Sequence, residues 1–183
     1  RVVLGSVGVG SMGKGDMKSL MHVEGVQVVA VCDVVETRRN EAKAIVDTYF
    51  KNRDCKMYGD FRELLTRDDI DAISITTQDH WHALVAVAAA KAGKDMYCQK
   101  PLTHDVYEAR RLTATARGAG LATQMGIQGH SGEGIRLVTE WIAAGLIGEV
   151  REVDAWCSLT YYPWGHAGWS SQWSERPTEV QAL

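Results

Sequence analysis

Along the chain, short apolar runs alternate with longer stretches whose apolar residues recur at helical spacing. Residues 2–7 (Val-Val-Leu-Gly-Ser-Val) and 26–32 (Val-Gln-Val-Val-Ala-Val-Cys) have the length and β-branched content of buried strands. Residues 71–76, 96–98 and 121–125 repeat that signal more briefly. Between them lie predicted helices over 12–21, 36–50, 61–66, 83–92 and 106–117. In the helix over 36–50, Ala42, Ile45, Val46 and Tyr49 form the apolar stripe. Asp60 with Glu63 gives the helix over 61–66 a capping-box start, and Gly93 ends the alanine-rich one. Strands that alternate with helices predict an α/β fold, a doubly wound parallel sheet covered on both faces.

The rhythm changes after Met125. Gly126, Gly129, Gly132 and Gly134 form a glycine-rich joint, then a helix is expected over 135–144 and a half-exposed strand over 149–158. An aromatic loop follows around Tyr162, Trp164 and His166. The expected organisation is a dinucleotide-binding domain over 1–125 and the incomplete start of a second domain over 126–183. One helix and one strand cannot close a core of their own, so this second part reads as a piece of a larger domain or as a segment that packs on a partner.

Composition narrows the classes. The 183 residues carry a formal net charge of -3 and no lysine/arginine run, which argues against nucleic acid as a partner. Every apolar run is interrupted before membrane-spanning length. Cys32, Cys55, Cys98 and Cys157 are widely spaced, without the close pairs that zinc or dithiol chemistry needs, and read as buried reduced thiols. Reduced thiols favour a cytoplasmic setting. The chain starts at Arg1, not at a methionine, so an export signal upstream is compatible with this reading.

The chemistry concentrates where strands end. Gly8-Val9-Gly10-Ser11-Met12-Gly13 is a Gly-x-Gly-x-x-Gly that leaves an apolar strand and opens a helix, the context that gives this otherwise weak motif its meaning. In that context Gly8 allows the tight turn, Gly10 admits the pyrophosphate, Gly13 allows close helix–strand packing, and the helix start around Ser11 and Met12 offers free N–H groups. Asp33 closes the second strand, where a carboxylate accepts from ribose hydroxyls and repels a 2′-phosphate. That favours NAD over NADP. Arg38 is a candidate for adenine or phosphate contact, whereas Arg39 is expected to be a solvated helix charge.

Two further strand ends face the same side. Thr76-Thr77-Gln78-Asp79-His80-Trp81-His82 follows the third predicted strand, with Asp79 as a candidate helix cap. His80 and His82 lack carboxylate or thiolate neighbours in sequence, so no metal site is expected. Cys98-Gln99-Lys100-Pro101 ends the fourth strand. A lysine there can orient a hydroxyl substrate and move its proton, the proline fixes the backbone, and a surface charge is the alternative reading of Lys100.

Together the glycine fingerprint, the Asp-His-Trp-His loop and the Gln-Lys-Pro strand end resemble the Gfo/Idh/MocA oxidoreductases. Residues 93–102 (Gly-Lys-Asp-Met-Tyr-Cys-Gln-Lys-Pro-Leu) are the most diagnostic. The resemblance implies a Rossmann domain followed by a domain with an open, mostly antiparallel sheet. It also implies NAD(P)-dependent hydride transfer with a sugar, cyclitol or related polyol, and a homo-oligomer built through the second domain. It assigns Lys100 to catalysis and to the cofactor and substrate, and it places Thr77 and His82 along the cofactor.

Two departures stand out. Gln99 replaces the glutamate usual in Glu-Lys-Pro, keeping a group able to bond a ribose hydroxyl. The Asp/His pair expected in the second domain has no counterpart before Leu183, which leaves His130 as a substrate-side candidate. The resemblance also leaves open an NAD-dependent glycosidase that works through transient oxidation, or a cofactor-binding segment without catalysis of its own.

Overall fold

In a computed structural model, residues 1–156 are described. Six strands form one parallel sheet: β1 (Val2–Val7), β2 (Val26–Cys32), β3 (Lys56–Tyr58), β4 (Ala72–Ile75), β5 (Asp95–Gln99) and β6 (Thr123–Gly126). They lie in the order β3-β2-β1-β4-β5-β6. The intervening helices are α1 (Ser11–Met21), α2 (Glu36–Phe50), α3 (Phe61–Leu65), α4 (Asp79–Lys91) and α5 (Val106–Ala119). A 3₁₀ turn (Gln128–Ser131) and α6 (Glu133–Ala143) follow the sheet.

Side chains of the strands feed two cores, with a register shift where β2 pairs β1 beside Leu4 and Gly5. Leu4, Val28 and Val31 pack with Met17, Met21, Ala42 and Val46 beneath α1 and α2. Val7, Ala30, Ile73, Ile75 and Cys98 pack with Leu64, Val85, Ala89 and Leu112 on the other face, beneath α3, α4 and α5. Burial on both faces explains why the central runs read as almost continuously apolar.

The order reverses between β1 and β4, which are direct neighbours although β2 and β3 intervene in sequence. At such a switch point the connections leave in opposite directions and open a crevice at the carboxyl ends of the strands. The glycine motif, Thr76 and the Lys100 segment all follow those ends.

The structure departs from expectation in a few places. β3 was not expected; its three residues exist as a strand only by pairing with Ala30–Cys32 at the sheet edge. α4 begins at Asp79, four residues before the expected start, because the His-Trp-His segment joins the first turn. Residues 149–156 hold no strand: strands exist only when paired, and the described residues supply no partner there. The remainder of that segment and the aromatic loop with Tyr162, Trp164 and His166 lie outside the described residues.

The chain divides into two compact units, Arg1–Ile135 and Arg136–Leu183. The parallel sheet belongs to the first and ends at Gly126. No helix among the described residues is long and apolar enough to cross a membrane.

Candidate cofactor site and catalytic loop

The glycine loop is built by close packing. Gly8 has φ +81°, and a Cβ there would lie 2.4 Å from the Thr76 carbonyl oxygen. A Cβ on Gly13 would lie 1.9 Å from the Gly8 carbonyl oxygen. Both contacts draw α1 against the β1 and β4 ends, a geometry available only to residues without side chains. Gly10 differs: a Cβ there would meet only Arg38 Nη1, at 4.0 Å, so its open side faces away from the protein. Gly10 also serves as the N-cap of α1 with no side-chain cap, and the first turn carries no acidic residue. A helix start that holds uncapped amides over open space is suited to an anion such as a pyrophosphate.

Asp33 is 8% exposed and closes the loop from the other side. Its Oδ2 accepts from Val9 N–H at 3.0 Å and its Oδ1 from Val35 N–H at 2.9 Å. The carboxylate therefore stands at the mouth of the glycine loop, held by main-chain donors. Arg38 Nη1 lies 4.0 Å from Asp33 Oδ1 and borders Gly10. Arg39 is not the solvated charge expected: its guanidinium donates to the Asp33 carbonyl at 2.6 Å and is half-buried. Replacing Asp33 by asparagine keeps an oxygen for Val9 and removes the charge. That variant is expected to lose about tenfold of its discrimination against NADP, read by titrating both cofactors.

At the β4 end, Thr77 is half-buried and His80 exposed. Asp79 is the first residue of α4, and Gln78 is the N-cap, so the expected cap shifts by one residue. In the first turn the Asp79 carboxylate still meets the positive end of the helix. His82 requires a larger correction. It is 1% exposed, with Nε2 on the Thr77 carbonyl at 3.0 Å and Nδ1 on the Pro101 carbonyl at 2.6 Å. Buried with both nitrogens facing main-chain carbonyls, the ring leaves no open polar atom for a cofactor. It ties the Thr77 loop to the turn that follows Lys100.

Lys100 is exposed at the β5 end and precedes Pro101 through a cis bond. Gln99 is 4% exposed and turned inward: its Nε2 donates to Asp16 Oδ2 at 2.9 Å, and its Oε1 accepts from Lys100 N–H at 3.2 Å. The ribose contact expected of Gln99 thus gives way to an internal one, because the amide already has a buried acceptor and a main-chain donor. His130 is exposed in the 3₁₀ turn beyond β6, two residues past Gln128.

Asp16 is the residue that sequence reading missed. It faces the sheet in the buried row of Gly13, Asp16, Met17 and Met21 on α1. A carboxylate in an apolar stripe is the signal that marks it.

Among the described residues no cluster of three His, Cys, Asp or Glu could hold a metal. A groove of about 470 Å³ lined by Phe61, Leu84, Val87, Tyr107 and Arg111 shares no residue with the strand-end site. Cys32, Cys55 and Cys98 are free and buried, and Cys157 lies outside the described residues. Burial pushes the Cys32 and Cys98 thiols up to about 12 and Cys55 to about 11, with the Asp33 charge adding to Cys32. These three thiols are expected to react at least about a hundredfold more slowly than free cysteine at pH 8, as read by site-resolved mass spectrometry.

Residues 2–127 match the oxidoreductase family with an NAD-binding Rossmann fold. The chain belongs to the Gfo/Idh/MocA family. Its sequence is 34% identical over 147 residues to an inositol 2-dehydrogenase of Salmonella typhimurium, covering 79% of this chain and 42% of that protein. It is 30% identical over 157 residues to a glycosyl hydrolase family 109 protein of Shewanella pealeana, covering 84% and 34%. This Gfo/Idh/MocA chain thus spans less than half the length of the curated relatives it matches.

Among solved structures, scyllo-inositol dehydrogenase from Lactobacillus casei with bound NAD(H) and scyllo-inositol superposes with TM-score 0.72. It is 23% identical, with 81% of this chain and 43% of that one covered. A 3-ketoreductase from Actinomadura kijaniata in complex with NADP superposes with TM-score 0.74 at 26% identity, covering 82% and 44%. The Gfo/Idh/MocA Rossmann fold expected from the motifs is therefore the one found, and it is an NAD-binding fold.

Proposed function

We propose that the protein is an NAD-dependent dehydrogenase acting on a cyclitol, sugar or related polyol, with this chain carrying the cofactor side of the site. The observation that supports it best is the convergence of three strand ends: the glycine loop with Asp33, the Thr77 loop, and exposed Lys100. Gly8, Gly10, Ser11, Met12 and Gly13 cradle the pyrophosphate on the α1 amides, Asp33 and Arg38 meet the adenosine, and Thr77 borders the remainder. Bound nicotinamide supplies the hydride acceptor or donor. Lys100 holds the substrate hydroxyl and takes part in moving its proton as the carbon–oxygen bond becomes a carbonyl. His130 is proposed on the substrate side. The relatives named above support the polyol class.

A second reading follows from the family 109 relatives. A hydride withdrawn and later returned would ease elimination of a glycosidic bond, using the same Lys100 and the same cofactor site without net change in NAD. A panel of polyols and aryl glycosides, assayed for NADH and for released aglycone, separates the two. The dehydrogenase reading expects NADH to accumulate in step with polyol oxidation. Aglycone release at constant NADH would replace it by the glycosidase reading, and neither product would contradict both.

A further inference from the structure

Asp16 gathers the site from beneath. Its carboxylate is 8% exposed and accepts from three side chains that lie far apart in sequence. Thr76 Oγ1 at the β4 end and Gln99 Nε2 at the β5 end reach Oδ2 at 3.1 and 2.9 Å, and Gln128 Nε2 beyond β6 reaches Oδ1 at 3.1 Å. The Tyr97 phenol, on the same face of β5 as Gln99, is held above its ordinary value by burial and then by the Asp16 charge.

The Gln99 amide has one orientation consistent with this surrounding. The N–H side must face the acceptor-only carboxylate, and the oxygen must face the Lys100 N–H. Space for it is built in: a Cβ on Gly126 would fall 2.7–2.9 Å from the amide atoms of Gln99. A glutamate at this position would set two carboxylates in hydrogen-bond contact inside the protein, where like charges cannot both ionise without large cost.

We infer that Asp16 is a positioning residue for Lys100, acting through Gln99, and that its charge is why residue 99 is a glutamine and not a glutamate. The chain of contacts runs from the Asp16 carboxylate to the Gln99 amide to the main-chain N–H of Lys100. Its consequence for turnover rests on the dehydrogenase reading above; the pairing of Asp16 with Gln99 does not. The pair is polar in one sense only, with donor on residue 99 and acceptor on residue 16. Reversing both ends preserves the hydrogen bond, whereas a carboxylate at both ends leaves two acceptors that must repel or share a proton.

The test is a reciprocal exchange in the intact protein: Gln99→Glu, Asp16→Asn, and the two together. In Gln99→Glu two carboxylates face each other; in Asp16→Asn the new amide still turns its oxygen to Gln99 Nε2 and Thr76 Oγ1, with its N–H side toward Gln128, whose exposed amide can turn to accept it. Gln99→Glu is expected to lower Tm by about 4–8 °C and kcat by about tenfold, with the KM for NAD within about threefold of wild type, whereas Asp16→Asn alone should stay within about 2 °C in Tm and about threefold in kcat. In the double variant the asparagine donates to the glutamate, and both Tm and kcat are expected to return most of the way. Gln99→Glu failing to fold while the double variant folds supports the same coupling. Additive losses in the double variant, an unaffected Gln99→Glu, or failure of the double variant to fold would overturn the proposal. Recovery of Tm in a protein that transfers no hydride as wild type would leave the pair standing and remove the dehydrogenase reading instead.

Discussion

Lys100→Ala is expected to lower kcat by about 10²–10⁴-fold, the range associated with loss of a positioned general acid–base group. NAD affinity should stay within about threefold, because the Lys100 side chain is exposed and its removal disturbs no core packing. The two readouts must separate. Lys100 follows Gln99, whose side chain is anchored on α1, and precedes Pro101, whose carbonyl is held by His82. The main chain on both sides is thus fixed by buried partners, and alanine at 100 leaves those partners in place. Steady-state kinetics alongside a fluorescence titration of NAD would show the split. Unchanged kcat would remove Lys100 from the mechanism, and an equal loss in both quantities would make it a binding residue only.

The second large effect concerns the glycine loop, where two glycines one turn apart should behave in opposite ways. In Gly13→Ala the new methyl would sit 1.9 Å from the Gly8 carbonyl oxygen, so backbone must move. Overpacking of this kind costs about 3 kcal/mol, which corresponds to a Tm lower by about 6–12 °C in a domain of this size. Since the displaced segment is the one that presents the α1 amides, NAD affinity should fall by about a hundredfold or more. In Gly10→Ala the methyl meets only the Arg38 guanidinium at van der Waals distance. Its Tm should remain within about 2 °C while NAD binding weakens, since the methyl projects toward the pyrophosphate. Thermal melts of the apoproteins and NAD titrations distinguish the two sites. A stable Gly13→Ala would contradict the packing account, and undiminished NAD binding by Gly10→Ala would contradict the placement of the phosphates.

Sequence patterning revealed the parts of this fold that are long or buried on both sides. β1 and β2 are mostly apolar runs, and α2 and α5 carry polar outer faces, so patterning alone locates them. β3 left no trace because three residues at a sheet edge owe their conformation to a neighbouring strand, not to their own composition. The glycine motif was legible because its chemistry is local: Gly8 and Gly13 answer to contacts within one strand–turn–helix unit. His82 and Gln99 were legible as members of the site but not in their roles. Their partners, the Pro101 carbonyl and Asp16, are brought near only by the parallel crossovers, and no local spacing encodes them. Asp16 itself looks like an ordinary helix carboxylate until the buried row on α1 is laid against the sheet.

The departure at residue 99 has the same origin. Read along the chain, glutamine in place of glutamate removes a charge beside Lys100. In three dimensions a carboxylate stands behind the glutamine, supplied by Asp16 of α1.

Cofactor binding is the property on which every other role of the strand-end site depends. Calorimetric titration of the wild-type protein with NAD and with NADP tests it most directly. With Asp33 buried at the mouth of the glycine loop, NAD is predicted to bind, with NADP at least about tenfold weaker. No binding of NAD, or equal affinity for the two cofactors, would contradict it.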